Sequence, residues 1–166
     1  MLDCLSEKLH EIDPDANLTE FGQELNEQTF AIAKANMLIK GGDAENMKHG
    51  NTLSNDQFEG FTFDYIISNP PFGIEWKNEK AAVEAEHKKG DLGRFGAGLP
   101  AIGDSQQLFV LNGVAKLKDT GRMAIIQNGS PLFKGDAGSG ESNIRGYLID
   151  NDWLEAIIQI PNDMFY

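Results

Sequence analysis

The chain has 166 residues, of which 14 are Lys or Arg and 26 are Asp or Glu, so its formal net charge is −12. Apolar residues make up 40% of it, which is typical of a globular domain and excludes a disordered chain, while the single cysteine excludes an internal disulfide and a cysteine-based zinc site. No apolar run reaches the ~18 residues of a membrane span, so we expect a cytoplasmic protein. A domain that binds DNA alone through its phosphates would be basic; if this acidic chain acts on nucleic acid, a partner or a local basic patch must supply most of the positive charge.

The N-terminal elements follow from apolar spacing. Apolar residues recur every three or four positions from Leu2 to Ile12, which predicts a helix that ends before Pro14. A short strand is predicted over 18–23, ending near Glu24, and a helix over 29–39.

The next strand is the clearest in the chain. Residues 61–68 are dense in aromatic and β-branched side chains, which favour strands. Residues 69–103 show little periodicity, and such a long loop in a compact domain tends to be functional or disordered.

The C-terminal half continues the alternation. Asp104 and Ser105 are predicted to cap a helix with an apolar face from Leu108 to Leu117. A strand over 122–127, a short helix over 144–149 and a strand over 154–160, stopped by Pro161, are predicted to follow.

Alternating helices and strands predict an α/β fold with a mostly parallel sheet flanked by helices. Ligands of such folds bind at the carboxyl ends of the strands. This rule draws attention to the residues that follow the strand over 61–68.

Those residues are Asn69, Pro70, Pro71 and Phe72. Two prolines cannot extend a parallel strand, because they donate no ladder hydrogen bonds. They make a stiff loop that directs the Asn69 side chain outward. A purely structural interpretation is a strand terminator in which Asn69 makes a local turn hydrogen bond.

The quartet resembles the catalytic motif of S-adenosylmethionine-dependent methyltransferases that act on the N6 amine of adenine. The resemblance implies that the Asn69 side-chain oxygen and the Pro70 carbonyl accept the two N–H bonds of that amine. It also implies that Phe72 stacks on the base once it is flipped from the duplex. Catalysis would then rest on positioning and electrostatics, with no strong base.

A longer series of motifs resembles the modification subunit of type I restriction-modification systems. The resemblance implies a Rossmann-like methyltransferase fold, S-adenosylmethionine as cofactor, duplex DNA as substrate, and partnership with a specificity subunit, a restriction subunit and a second modification subunit. In chain order the segments that carry it are 21–24, 35–39, 51–53, 63–73, 121–126 and 158–161 with Phe165.

By this resemblance Glu24 hydrogen-bonds the cofactor ribose, although a solvated carboxylate at a helix start explains it equally well. Asn51 stands where the family usually has an Asp that contacts the cofactor adenine. Nothing between Met1 and Asn17 resembles the family's glycine-rich cofactor loop. We therefore expect residues 1–166 to form a partial methyltransferase catalytic domain, with 69–103 as its catalytic and target loop region.

The stretch from Glu75 to Arg94 is rich in charge of both signs. Balanced charge predicts a solvated or disordered loop, although its place beside the catalytic motif makes it a candidate for ordering on DNA. Its basic members are Lys77, Lys80, Lys88, Lys89 and Arg94, and its acidic members are Glu75, Glu79, Glu84, Glu86 and Asp91.

Three functions remain open from the sequence. The first is adenine-N6 DNA methylation within a type I complex. The second is methylation of a glutamine amide in release factors, where Tyr usually stands in place of Phe72. The third is a role in assembly only, because the glycine-rich loop is missing.

Overall fold

The computed structural model describes residues 2–161. The helices are α1 (Leu2–Ile12), α2 (Glu27–Ile39), α3 (Lys80–His87), α4 (Gln106–Ala115), α5 (Ser130–Phe133) and α6 (Gly140–Asp150), with short 3-10 turns at Ala44–Asn46 and Gly90–Leu92. The strands are β1 (Gly22–Glu24), β2 (Met47–His49), β3 (Phe63–Ser68) and β4 (Leu117–Ile125). None of the helices over residues 2–161 is long and apolar enough to cross a membrane.

The strands form two parallel pairs. β1 pairs with β2 and ends where Glu24 lies opposite His49, while β3 pairs with β4 and ends where Ser68 lies opposite Ile125. The predicted α/β class with parallel pairing is confirmed. Within the described part of the chain, however, the pairs do not join into one sheet, and a cleft lies between β1 and β3.

β4 begins at Leu117, five residues before the start predicted for it. Residues 119–121 lie inside the strand as an irregularity: the pairing moves from Phe63–Leu117 to Tyr65–Arg122, two positions along β3 but five along β4. The extra residues of β4 leave the pairing between these two positions, an irregularity that is rare in parallel ladders.

The main core lies against α4 and contains residues that the sequence analysis assigned to a loop. Its buried members are Leu53, Trp76, Val83, Phe95, Leu108, Leu111 and Ile144. Three of them come from 69–103, which also contains α3. The predicted loop is therefore interrupted by α3 and partly buried, while the rest of it is mostly irregular. A single Val83 anchors α3, so the helix has too short an apolar stripe to be visible as a period in the sequence.

The predicted strand over 154–160 is absent from the structure. Ile157 and Ile158 are 59% and 82% exposed, and Arg122 Nε donates to Glu155 Oε1 at 3.2 Å. A strand needs a neighbouring strand to satisfy its backbone, and this segment pairs with none in the described residues. Phe165, the last residue of the motif series, lies outside them.

The core role of 69–103 predicts a stability effect at Val83. Replacing Val83, which is completely buried, by alanine removes two methyl groups and should lower the free energy of unfolding by about 2 kcal/mol. Urea denaturation followed by circular dichroism measures this. The matched control is Leu92→Ala on the same segment, since Leu92 is 92% exposed. Equal stability of the two variants would contradict the core assignment.

Candidate active site

A cleft of about 1560 Å³ lies between the two strand pairs. Five of the six predicted site residues line it: Glu24, Asn51, Asn69, Pro70 and Pro71. Phe72 is the exception, because it does not contribute to the cleft wall. The parallel strands thus bring residues up to 47 positions apart (71 − 24) to one cavity.

Glu24 ends β1 at the edge of the cleft. Its Oε1 accepts a hydrogen bond from the backbone N–H of Asn26 at 2.7 Å, and its backbone oxygen accepts one from the N–H of Gly50 at 3.0 Å. The second bond joins the end of β1 to the end of β2. The side chain is half-buried, and no hydrogen bond within residues 2–161 occupies its Oε2.

Asn51 follows β2 and is also half-buried. Its Oδ1 accepts from the backbone N–H of Leu53 at 2.9 Å, and its Nδ2 donates to Glu79 Oε1 at 2.8 Å. Both ends of the amide are therefore engaged within the protein. The sequence analysis did not identify Glu79 as a partner of this residue.

Asn69, by contrast, is exposed directly after β3, and its side chain makes no hydrogen bond within the described range. The local turn hydrogen bond of the structural interpretation is therefore not observed there. Pro70 is buried, whereas Phe72 is 45% exposed. An unengaged amide and an exposed ring beside a buried proline form a surface that can receive a planar group.

Backbone hydrogen bonds fix the loop that begins with Asn69 to the core. The N–H of Ser105 donates to the oxygen of Ile74 at 3.0 Å, and the N–H of Trp76 donates to the oxygen of Ile102 at 3.0 Å. Trp76 is buried, and its Nε1 donates to the oxygen of Ala101 at 3.1 Å. The loop therefore leaves β3 and returns to the core within eight residues (69–76), which limits its motion.

A buried polar network lies at the start of α4. Of the two residues predicted to cap α4, Asp104 does so, since its Oδ1 accepts from the N–H of Gln106 at 3.2 Å, whereas Ser105 makes no side-chain capping hydrogen bond. Asp104 Oδ2 accepts from Ser130 Oγ at 2.9 Å. Burial alone would raise the pKa of Asp104, but the hydrogen bonds from Gln106 and Ser130 and the charge of Lys134 outweigh it and hold that pKa below its usual value. Gln106 Oε1 also accepts from the N–H of Asn128 at 3.0 Å.

This network joins the two strand ends. Asn128 follows β4, and the N–H of Ile126 donates to the oxygen of Ser68 at 3.0 Å. Gln106 is completely buried, and besides Asp104 its partners are Gln127, Asn128 and Ser130, which follow β4. The segment after β4 is thus held beside the loop after β3, although no motif of the sequence pointed to Gln106.

Arg94 is internal, contrary to the solvated or DNA-ordered loop predicted for its segment. Its side chain is 10% exposed; Nε donates to Glu86 Oε2 at 2.8 Å, and Nη1 donates to the oxygen of Thr52 at 2.7 Å and to Asn112 Oδ1 at 2.8 Å. The lysines of the segment are exposed, as predicted. Arg94 therefore links α3 and α4 to the residue next to Asn51.

Comparisons with known proteins agree with the motif series. A family model described as N-6 DNA Methylase matches residues 1–166. The type I restriction enzyme MjaIX methylase subunit of Methanocaldococcus jannaschii is 26% identical over 162 residues, covering 96% of this chain and 28% of that protein. The MpnII methylase subunit of Mycoplasma pneumoniae is 28% identical over 156 residues, covering 87% and 27%.

The fold also matches a solved structure. The type I restriction-modification methyltransferase subunit of Streptococcus thermophilus superposes with a TM-score of 0.65 and 32% identity, covering 80% of this chain and 28% of that one. The chain thus spans about a quarter of the length of the curated relatives it matches. The predicted resemblance and Rossmann-like methyltransferase fold are confirmed.

Proposed function

The chain belongs to the N-6 DNA methylase family, and we propose that it takes part in adenine-N6 methylation of duplex DNA with S-adenosylmethionine as cofactor. The observation that carries this proposal is the shared cleft, which joins the acidic end of β1, the amide after β2 and the Asn-Pro-Pro loop after β3. Ligands of parallel α/β folds bind at this edge.

The donor set of the cleft suits the cofactor. Glu24 Oε2 is an unoccupied carboxylate oxygen within the described residues, suited to ribose hydroxyls. Glu24 and Glu79 also give the wall negative charge, which favours a cationic sulfonium ligand over a neutral one. When bound, S-adenosylmethionine would supply an electrophilic methyl group.

Asn69 and Pro70 would position the amine of the target base. The Asn69 oxygen and the Pro70 carbonyl each accept one N–H bond, which draws the nitrogen out of conjugation and directs its lone pair into the cleft. Phe72, 45% exposed, offers a face on which a base turned out of the duplex can stack. The unengaged Asn69 side chain supports this role.

DNA binding would depend on partners. A net charge of −12 opposes phosphate binding by this chain alone, and Arg94 is committed to internal contacts. We propose a cytoplasmic complex in which a specificity subunit reads the DNA, together with a restriction subunit and a second modification subunit. Transfer of a labelled methyl group to duplex DNA, but not to a release-factor glutamine, would distinguish this function from amide methylation.

The cofactor half of the proposal is tested by Glu24→Ala in calorimetric titrations of the 166-residue chain. A hydrogen bond to a charged group contributes about 1.5–3 kcal/mol, so we expect about 10- to 100-fold weaker binding of S-adenosylmethionine. Glu59→Ala, which removes an exposed carboxylate outside the main cleft, should leave the affinity unchanged. No binding by the unmodified chain would instead favour a role in assembly only.

A further inference from the structure

The Asn51–Glu79 pair has no counterpart in the sequence motifs. The Nδ2–Oε1 distance is 2.8 Å across 28 positions of sequence, and both residues line the cleft. Because Asn51 Oδ1 is occupied by the N–H of Leu53, the amide is held with its NH2 group toward Glu79. One hydrogen of that group remains for a ligand.

Backbone hydrogen bonds hold Glu79 in place at the start of α3, and its carboxylate does not cap that helix. Its N–H donates to the oxygen of Trp76 at 3.2 Å, and its oxygen accepts from the N–H of Val83 at 3.0 Å. The side chain makes no capping hydrogen bond to α3. It turns toward Asn51 instead, and its Oε2 accepts no hydrogen bond from any residue in the range 2–161.

We infer that Glu79 and Asn51 together recognise the 6-amino edge of a purine. The inference rests on the proposed function, in which that purine is the adenine ring of the cofactor. Adenine presents an N–H donor at its 6-amino group beside an acceptor at ring N1. The pair offers the complementary order, a carboxylate acceptor on Glu79 beside an amide donor on Asn51.

In this arrangement Glu79 supplies the carboxylate for the cofactor adenine that an acidic residue at position 51 would otherwise supply. Asn51 Oδ1 already accepts the N–H of Leu53 and keeps one lone pair, whereas Glu79 Oε2 accepts no hydrogen bond within residues 2–161 and is charged. Glu79 brings the missing carboxylate to the same point of the cleft from α3. The pair also discriminates between adenine and hypoxanthine, because hypoxanthine presents an acceptor at position 6 and a donor at N1, the reverse of adenine.

The test compares the affinities of the chain for S-adenosylmethionine and for its analogue with hypoxanthine in place of adenine. We expect the unmodified chain to prefer the adenine compound, and Glu79→Gln to bind it about 10-fold or more weakly and to lose the preference. The matched control is Glu75→Gln, which removes one charge from the same cleft wall and should change both affinities equally.

An exchanged pair gives a result that a purely structural role would not. Asn51→Asp alone places two carboxylates at a 2.8 Å contact and should lower stability and binding. Combining Asn51→Asp with Glu79→Gln restores the hydrogen bond with donor and acceptor interchanged. In thermal unfolding this double variant should recover the stability that Asn51→Asp alone loses. It should also prefer the hypoxanthine compound.

The outcomes separate the inference from the proposed function. If Glu79→Gln keeps both the affinity and the preference, the inference is overturned while the proposed function stands. If the unmodified chain binds neither compound, the cofactor half of the proposed function fails, and the inference fails with it. An unchanged preference in the exchanged pair also overturns the inference.

Discussion

Replacing Asn69 by alanine is expected to lower kcat for methyl transfer to duplex DNA by at least about 100-fold, the cost of removing one polar group that stabilises a transition state in a preorganised site. The side chain is exposed after β3 and has no hydrogen bond within the described residues, so its loss should cost little stability. The measurement is single-turnover transfer of a labelled methyl group by the chain assembled with its proposed specificity subunit.

Two controls isolate the role of Asn69. Asn143→Ala removes the same side chain from the exposed face of α6 and should leave transfer unchanged. The affinity of Asn69→Ala for S-adenosylmethionine should match that of the unmodified protein, because Asn69 is assigned to the acceptor base alone. Transfer within threefold of the unmodified rate (about 0.7 kcal/mol) would remove Asn69 from the reaction.

The sequence was sufficient for features that depend on contiguous residues. The strand leading to Asn69 is an uninterrupted run of aromatic and β-branched residues, so β3 was placed to within two residues of its observed start. The rule that parallel strands present ligand sites at their carboxyl ends directed attention to Asn69, and the family resemblance assigned Glu24 and Asn51 to the cofactor site. All three residues line one cleft; their functional roles remain predictions.

Contacts between distant segments left no pattern in the sequence. Glu79 lies 28 positions from Asn51, and Arg94 lies 42 positions from Thr52. Both appear in the sequence as members of a mixed-charge stretch, which usually indicates solvated side chains. Burial and pairing of such residues depend on how α3 joins the core beside α4. The apolar face predicted for α4 did not indicate this neighbour, and α3 has a single buried residue, Val83.

The strand predicted over 154–160 was wrong for a related reason. An alternating apolar run shows that a segment could form a strand, but not that a neighbouring edge is available to it. Ile157 is 59% exposed in the structure, so this apolar side chain is not buried in a core. Tertiary context overrides local preference, just as it starts β4 at Leu117, five residues before the start predicted from the sequence.

Arg94 is where the second large effect is expected. Arg94→Met keeps most of the apolar stem but removes the guanidinium, leaving Glu86 and the oxygen of Thr52 without their donor. Removing one partner of a buried ion pair costs about 3–5 kcal/mol. The free energy of unfolding of a typical domain is only about 5–15 kcal/mol. Urea denaturation of the 166-residue chain measures the loss.

Helix α3, which carries Glu86, also provides the control. Lys80 and Glu84 form an exposed pair at 3.6 Å on α3, and Lys80→Met should cost no more than about 0.5 kcal/mol. Adding Glu86→Gln to Arg94→Met removes the unpaired charge and should recover part of the loss. Equal effects of Arg94→Met and Lys80→Met would show that the Arg94 network contributes no more than a surface pair.

The pH dependence of this loss identifies its source. Burial would raise the pKa of Glu86, but the hydrogen bonds and charge of Arg94 outweigh it and hold the pKa below its usual value. A lowered folded-state pKa stabilises the protein above the unfolded-state value of about 4.3 and stops doing so as the pH falls through the folded-state value. In Arg94→Met, only the backbone N–H of position 94 and the charge of Lys89, the two smallest of the causes that act on this pKa, still oppose burial, so protonation of Glu86 relieves the variant. The difference in free energy of unfolding between the unmodified chain and Arg94→Met should therefore be largest near neutral pH and shrink below about pH 4. A difference independent of pH would mean that lost packing, and not the ion pair, destabilises the variant.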